Sequence, residues 1–166
     1  MQVRVRGMRA GDGAAVAAVA RAAGTLFADA GLVLPPDDPA EMVACAERVL
    51  VAEGPAAGRV VGLAATGTVD GALHLEELAV DPAVGRRGVG SRLLAKVCGC
   101  ALEEGFPAVT LTTFRDVPWN GPWYARRGFR EVGGAEWGPQ LRRVWEQEAQ
   151  IRVAPRVVMR RGLRGA

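Results

Sequence analysis

The sequence has few of the residues from which metal sites and disulfide frameworks are built. It contains three cysteines and one histidine in 166 residues. Cys45, Cys98 and Cys100 are odd in number and lack the spacing of metal ligands, and a single histidine cannot complete a Cys/His zinc set. The sequence therefore predicts no metal site, and we expect the cysteines to behave as small buried hydrophobic residues.

The sequence also lacks a long apolar run and a concentrated basic segment. No hydrophobic stretch approaches the length of a membrane span, and the first residues alternate Val and Arg as a strand does, unlike a signal peptide. Lys96 is the only lysine, and the formal net charge is +3. Only residues 152–164 approach the basic stripe of a nucleic-acid-binding protein, and their arginines alternate with Val and Met as in a strand. We expect a cytoplasmic protein from a GC-rich bacterial source, with no membrane or nucleic-acid partner.

The hydrophobic pattern predicts a single domain over residues 1–166 with an α/β (α+β) fold. Strands are expected at residues 2–6, 49–53, 59–69, 72–80, 109–113, 129–132 and 151–160. Helices are expected at 13–23 with Asp12 as N-cap, at 39–47, from the glycine turn near residue 90 to Gly105, and at 120–128 with Asn120 as N-cap; 140–150 is a further candidate, and 24–39 is irregular. Asp70-Gly71 is a strong hairpin signal and predicts that strands 59–69 and 72–80 pair antiparallel. The helix between strands 72–80 and 109–113 favours a parallel pair. The sheet is therefore mixed but mostly antiparallel, with six to seven strands flanked by about four helices.

The strand at 72–80 changes the parity of its apolar residues. Leu73 and Leu75 are apolar at odd positions, whereas Leu78 and Val80 are apolar at even ones. Because side chains alternate between the faces of a strand, a regular strand cannot place all four on one side. An extra residue near Glu76-Glu77, which is a β-bulge, would reconcile them and would free backbone groups for a ligand. The alternative is a regular strand that is buried on both faces.

The segment after this strand is the most informative part of the chain, Gly85-Arg86-Arg87-Gly88-Val89-Gly90. Its glycines leave backbone N–H groups free to converge at the start of a helix, where the positive end of the helix dipole lies. With two arginines alongside, this arrangement favours phosphate binding. It lacks the third glycine of the dinucleotide fingerprint and the Gly-Lys-Ser/Thr of a P-loop.

Together with the later segment Asn120-Gly-Pro-Trp-Tyr-Ala-Arg-Arg-Gly-Phe129, this turn resembles the GNAT superfamily of acyl-CoA-dependent N-acyltransferases. The family motif Gln/Arg-x-x-Gly-x-Gly/Ala matches residues 85–90, with Gly85 in place of the usual Gln or Arg. The resemblance extends over residues 2–161. It implies a GNAT fold, acetyl-CoA as the acyl-donor cosubstrate without a metal, and an amine as the acceptor.

The resemblance also implies which residues contact the cofactor. Backbone N–H groups of the turn would hold the CoA pyrophosphate, and the end of the bulged strand would pair with the pantetheine amides. The implied cofactor-binding residues are Leu78, Ala79, Val80, Arg86, Arg87, Gly88, Val89, Gly90, Ser91 and Asn120. An N-cap role without a cofactor contact explains Asn120 equally well.

Direct transfer to an amine needs a base for the amine proton and an acid for the departing thiolate. The resemblance implies Tyr124 as the acid. For the base, the resemblance implies the positions of Glu76, the first choice, and His74, the second, which share one strand face and are expected to face the cleft together. Glu77 is the third choice if the bulge turns it inward. The structural alternatives are a solvated strand edge for the two glutamates, a half-buried strand position for His74, and simple packing beside Trp123 for Tyr124.

The sequence says little about the acceptor. Acidic residues in and beside the irregular segment favour a cationic amine, although solvation of a loop explains them equally well. The expected function is transfer of an acetyl group to a primary amine of a small molecule or peptide, by direct attack in a ternary complex. The alternative is a GNAT-fold module that binds or senses acyl-CoA with little turnover. An apolar final strand is compatible with a homodimer.

Overall fold

One mixed sheet forms the framework of the protein, in a computed structural model that describes residues 1–163. Within these residues the sheet has seven strands in the order β1-β2-β3-β4-β5-β7-β6, and only β4 and β5 pair in parallel. The strands are β1 (Arg4–Gly7), β2 (Arg48–Glu53), β3 (Val60–Val69), β4 (Ala72–Val80), β5 (Ala108–Phe114), β6 (Arg130–Glu131) and β7 (Arg156–Gly162). This confirms the predicted mostly antiparallel mixed sheet.

Helices cover both faces of the sheet. They are α1 (Gly13–Asp29), α2 (Pro39–Cys45), α3 (Val89–Glu103), α4 (Gly121–Ala125) and α5 (Pro139–Gln147), one more than the expected four. The apolar positions that repeat at helical spacing in α3, such as Leu93 and Val97, are buried in the main core, whereas Val16 and Val19 of α1 pack on the opposite face. Within residues 1–163, no helix combines the length and hydrophobicity needed to cross a membrane.

Strand β4 contains the predicted bulge. Ala65 of β3 pairs with Glu77, and the next residue, Thr66, pairs with Leu75, so Glu76 is the extra residue. Leu75 lies in the main core, and Leu78 packs against the same core on the other side of the bulge. The bulge therefore reverses the parity of the strand, as the apolar pattern predicted.

Strands β4 and β5 separate soon after they meet. They pair only through Leu73 with Val109 and His74 with Thr110. Beyond this point β4 continues along β3, and β5 continues along β7 as far as Phe114. The edge of β4 that faces β5 therefore has no strand partner, within the part of the chain that the structure describes, over residues 76–80. We call this segment the inner edge of β4.

Several predicted boundaries are wrong. Helix α1 does not end at residue 23 but continues to Asp29, because Gly24 is tolerated inside it and Phe27 packs against the ring of Phe114 at a centroid distance of 5.5 Å. The last strand begins at Arg156 rather than at residue 151, since residues 149–151 form a tight helical turn after α5.

The two predicted side-chain caps are also wrong. The carboxylate of Asp12 accepts hydrogen bonds from the Arg6 guanidinium, at 2.7 Å, and from the Arg9 backbone N–H, rather than from the first turn of α1. Asn120 does precede α4, but its side-chain oxygen accepts from the backbone N–H of Phe114, at 3.4 Å. Both side chains thus join neighbouring segments instead of closing a helix end.

Candidate active site

A cleft of about 1430 Å³ lies where β4 and β5 separate. One end is formed by the N-terminus of α3 and by α4, and the other by the second half of α1, the loop before α2 and the strands β5 and β7. The inner edge of β4 forms its floor. Most of the residues that the sequence singles out line this cleft.

The first turn of α3 presents backbone donors to one end of the cleft. Gly88 has φ of +83°, a left-handed conformation that suits glycine, and Arg86 has φ of +61°. The first intrahelical donor is Arg92, which bonds the carbonyl of Gly88, so the N–H groups of residues 89–91 have no partner within the helix. These N–H groups and the helix dipole together favour an anion.

Three arginines lie near this turn, and two of them were predicted from the sequence. Arg86 and Arg87 are both exposed, and of these two Arg86 lines the cleft whereas Arg87 does not. Arg127 donates to the Ser91 hydroxyl, at 3.0 Å from Nη2, and its guanidinium lies 3.7 Å from the centroid of Trp123. The sequence signal for Arg127 was its place just before the Gly-Phe pair of the second motif.

Tyr124 lies on α4 with its ring held between two aromatic neighbours. It packs edge-on against Trp123, at a centroid distance of 5.0 Å, and against Phe129, at 5.5 Å. The residue is buried and lines the cleft. Burial raises the pKa of Tyr124 well above its usual value, and the negative charge of Glu77 adds to this effect. The hydroxyl is therefore protonated at neutral pH and can donate a proton.

Glu77 lies immediately after the bulged residue and lines the cleft. Burial raises the pKa of Glu77 to about 7; the charge of Asp37 acts in the same direction, and that of Arg156 opposes it. A carboxyl group with a pKa near neutrality can accept a proton and release it again at physiological pH.

The other two candidate bases occupy different surroundings. His74 is buried, its Nδ1 is hydrogen-bonded to Thr110 Oγ1 at 2.8 Å, and burial lowers its pKa to about 4. It is not among the residues that line the cleft. Glu76 does line the cleft, but its carboxylate lies against the backbone of Gly67 on β3, and the residue is exposed. The expectation that His74 and Glu76 face the cleft together is therefore wrong, because His74 is buried away from the cleft.

The far end of the cleft combines aromatic rings with a buried ion pair. Phe27 lies between Phe114 and Trp119, at centroid distances of 5.5 and 6.0 Å. Arg156 at the start of β7 pairs with Glu148, at 3.2 Å. Sequence reasoning missed this pair, because it depends on the helical turn at residues 149–151 that was predicted to be the end of a helix and the start of a strand.

Solved structures of several acetyltransferases share this fold. N-acetylglutamate synthase from Neisseria gonorrhoeae, in complex with coenzyme A and N-acetyl-glutamate, aligns over 98% of this chain with a TM-score of 0.74 and 23% identity. The chain covers only 35% of that protein, about a third of its length. The PaiA N-acetyltransferase from Thermoplasma acidophilum, in complex with coenzyme A, aligns over 98% of this chain and 100% of its own, with a TM-score of 0.70 and 13% identity.

A third solved structure is the ribosomal-protein-S18-alanine N-acetyltransferase from Escherichia coli, with a TM-score of 0.70, 16% identity and coverage of 97% of this chain and 94% of that one. The separated parallel strands, the bulge between them and the adjacent helix N-terminus define an acetyltransferase fold of the GNAT type. The profile of the acetyltransferase (GNAT) domain matches residues 45–131. The chain therefore belongs to the GNAT acetyltransferase family.

Proposed function

We propose that the protein transfers an acetyl group from acetyl-CoA to a primary amine by direct attack within a ternary complex. The observation that carries this proposal is the separation of β4 from β5, which leaves the inner edge of β4 open between an anion-binding helix start and a pair of proton-transfer groups. The donor and the acceptor would enter this cleft from opposite ends.

The donor end fits the chemistry of CoA. The free N–H groups of Val89, Gly90 and Ser91 would hold the pyrophosphate, with Arg86 and Arg127 nearby as positive charges. The backbone of the inner edge, at residues 78–80, would pair with the pantetheine amides as a strand does. An N–H group there is also suited to stabilise the tetrahedral oxyanion, and losing one such donor typically costs roughly 3 kcal/mol of barrier.

The proton-transfer groups complete the reaction. The amine nitrogen attacks the thioester carbonyl, and Glu77 accepts the proton that the nitrogen loses. When the C–S bond breaks, the Tyr124 hydroxyl gives its proton to the departing CoA thiolate, which leaves as the thiol. After each turnover Glu77 would release its proton to solvent and Tyr124 would take one up, which returns both groups to their starting states.

Amines of different size are acetylated on this fold. The N. gonorrhoeae structure contains N-acetyl-glutamate, a small molecule, and the E. coli protein is named for an alanine of a ribosomal protein. We therefore include both small molecules and peptides among the acceptors of this chain.

A thiol-release screen tests the proposal. Purified protein is incubated with acetyl-CoA and pooled amines, amino acids, antibiotics and peptides, and free CoA is detected with a thiol reagent. We expect release that depends on at least one pool and falls by 10²–10⁴-fold in the Tyr124→Phe variant, the usual effect of removing a general acid. Calorimetry should show little change in the affinity of that variant for acetyl-CoA.

Two results would contradict the proposal. Binding of acetyl-CoA without thiol release across the whole panel would indicate the binding or sensing module instead. Unchanged turnover of Tyr124→Phe, under conditions in which the chemical step limits the rate, would remove the acid role of the tyrosine.

A further inference from the structure

Arg156 is a buried cation at the acceptor end of the cleft that the acetyl-transfer steps do not use. Its side chain is only 8% exposed, although the residue lines the cleft. Nη2 donates to Thr112 Oγ1 at 3.1 Å and to Glu148 Oε2 at 3.2 Å, and the guanidinium lies 4.6 Å from the centroid of Phe114. The side chain is thus fixed from two sides.

The guanidinium has unused donors. Within residues 1–163, its Nε is buried without a hydrogen-bond partner, and both of its protein acceptors bond to Nη2. A guanidinium carries five N–H donors in a planar fork, and leaving a buried donor unpaired is costly. A carboxylate is the group whose geometry matches two neighbouring donors of this fork.

The surroundings of Arg156 favour an acceptor with both charges. Burial is the main cause of the raised pKa of Glu77, and the positive charge of Arg156 opposes it, so the guanidinium acts on the proposed base. Three other acidic residues line the cleft. Glu148 is already paired with Arg156, Glu76 lies against Gly67, and the charge of Asp37 acts on Glu77. Asp37 and Glu77 suit an ammonium group, while Arg156 suits a carboxylate.

We infer that the acceptor is an amino acid, or another amine with a carboxylate a few atoms away, and that Arg156 binds this carboxylate while the amine faces Glu77. The inference rests on the proposed function, because it assigns the acceptor of that reaction. The rings of Phe27, Phe114 and Trp119 would then contact the apolar part of the acceptor.

Matched pairs of ligands test the inference through binding. The twenty protein amino acids and their carboxamides are titrated by calorimetry into protein saturated with CoA. We expect at least one amino acid to bind about tenfold or more tightly than its carboxamide, which keeps the amine and side chain but loses the negative charge. Equal or tighter binding of the carboxamides, or no binding of any amino acid, would overturn the inference.

Variants of the Arg156–Glu148 ion pair separate recognition of the carboxylate from an effect on folding. In Arg156→Met, the preference for the acid over the carboxamide should fall to within about twofold, with unchanged affinity for CoA. Glu148→Gln removes the partner charge but keeps the guanidinium, so the preference should persist. Arg160→Met, on the same strand but outside the cleft, is the matched control and should behave as the wild type.

The remaining outcomes separate the inference about Arg156 from the proposed acetyl transfer. If Arg156→Met does not fold, Arg156→Lys keeps the charge without the fork and should lose most of the preference; full retention there would overturn the inference. Loss of the preference in Glu148→Gln as well would assign Arg156 a structural role only. Amino-acid binding that depends on Arg156, without thiol release from acetyl-CoA, would support the inference and contradict the proposed function.

Discussion

At the scale of the residue, the environment of a carboxyl group or imidazole decides what it can do. Glu77 and His74 lie three positions apart on β4, and burial favours the neutral form of each. It therefore raises the pKa of Glu77 and lowers the pKa of His74. For the glutamate this means a pKa of about 7, which suits proton exchange at physiological pH. For the histidine it means a pKa of about 4, so the ring is neutral and serves as a hydrogen-bonding partner of Thr110.

The first prediction concerns the pH dependence of Glu77. As a base it must be ionised, so kcat/KM should rise as the pH increases through about 7. Glu77→Gln should lower kcat by about 10²–10⁴-fold and abolish this rise. The matched variant Glu76→Gln, also on β4, should keep it. A rise that is lost in Glu76→Gln and retained in Glu77→Gln would reverse the assignment.

The same carboxyl group should reduce stability at high pH. Because its pKa is raised in the folded state, the folded protein holds the proton more tightly than the unfolded chain does. Its contribution to stability is therefore present below the ordinary glutamate pKa and is lost as the pH rises through about 7. Glu77→Gln should accordingly be more stable than the wild type at pH 8, with a smaller difference at pH 4.5, in thermal unfolding measurements.

Residue-level geometry explains why the order of the candidate bases could not be read from the sequence. The family resemblance implied His74 and Glu76 as bases, and regular alternation along a strand would place both on one face. The bulge makes Glu76 the extra residue, and Glu77 then follows it into the cleft. The parity of the leucines predicted that a bulge exists, but which glutamate it directs inward depends on backbone geometry that no side-chain pattern encodes.

At the scale of the element, short segments with strong local signals were predicted best. The helical spacing of α3 and the Asp70-Gly71 hairpin between β3 and β4 both rest on local chemistry, and both are present. The end of α1 and the start of β7 were misjudged because tertiary packing decides them. The position of α4 also depends on tertiary packing, because Gly121 at its start lies close to the backbone carbonyl groups of Phe114 and Arg115 at the end of β5.

The second prediction tests this contact. A Cβ at Gly121 would clash with the carbonyl oxygen of Arg115, so Gly121→Ala must displace α4 and with it Tyr124. We expect a loss of roughly 1–3 kcal/mol in the free energy of unfolding, as for other overpacked sites, together with a lower kcat. Gly99→Ala is the control: it lies in α3 with open space around it and should stabilise the protein by up to about 1 kcal/mol. A stable, fully active Gly121→Ala protein would contradict the account of α4.

At the scale of the whole molecule, the cleft divides the sheet into two groups of strands. Strands β1 to β4 form one group and β5 to β7 the other, joined by the short parallel contact at Leu73 and His74. Strand β7 lies between β5 and β6, and the short β6 pairs only with Met159 and Arg160 of β7. A homodimer remains a prediction.

The third prediction is that CoA stabilises the whole fold. A ligand that contacts both groups of strands and binds only the folded state adds about 2.7 kcal/mol at a concentration of 100 Kd. For a chain of this length that corresponds to a rise in Tm of about 5–10 °C. Thermal unfolding with CoA should show this rise in Tm. Adenosine, which lacks the phosphates and the pantetheine arm of CoA, should change the Tm little. No change in Tm at millimolar CoA would contradict the donor site.

The position of the inner edge of β4 also bears on aggregation. Strands that end a sheet expose unpaired backbone groups to other chains, and proteins commonly guard them with charges, prolines or very short strands. The unpaired groups of β4 lie within the sheet, between its two groups of strands and under the second half of α1 and α4. The extended pantetheine arm of CoA can lie along these backbone groups, whereas the sheet of a neighbouring molecule is too wide to enter the cleft. The protein can thus keep a strand open for its cosubstrate without offering it to another copy of itself.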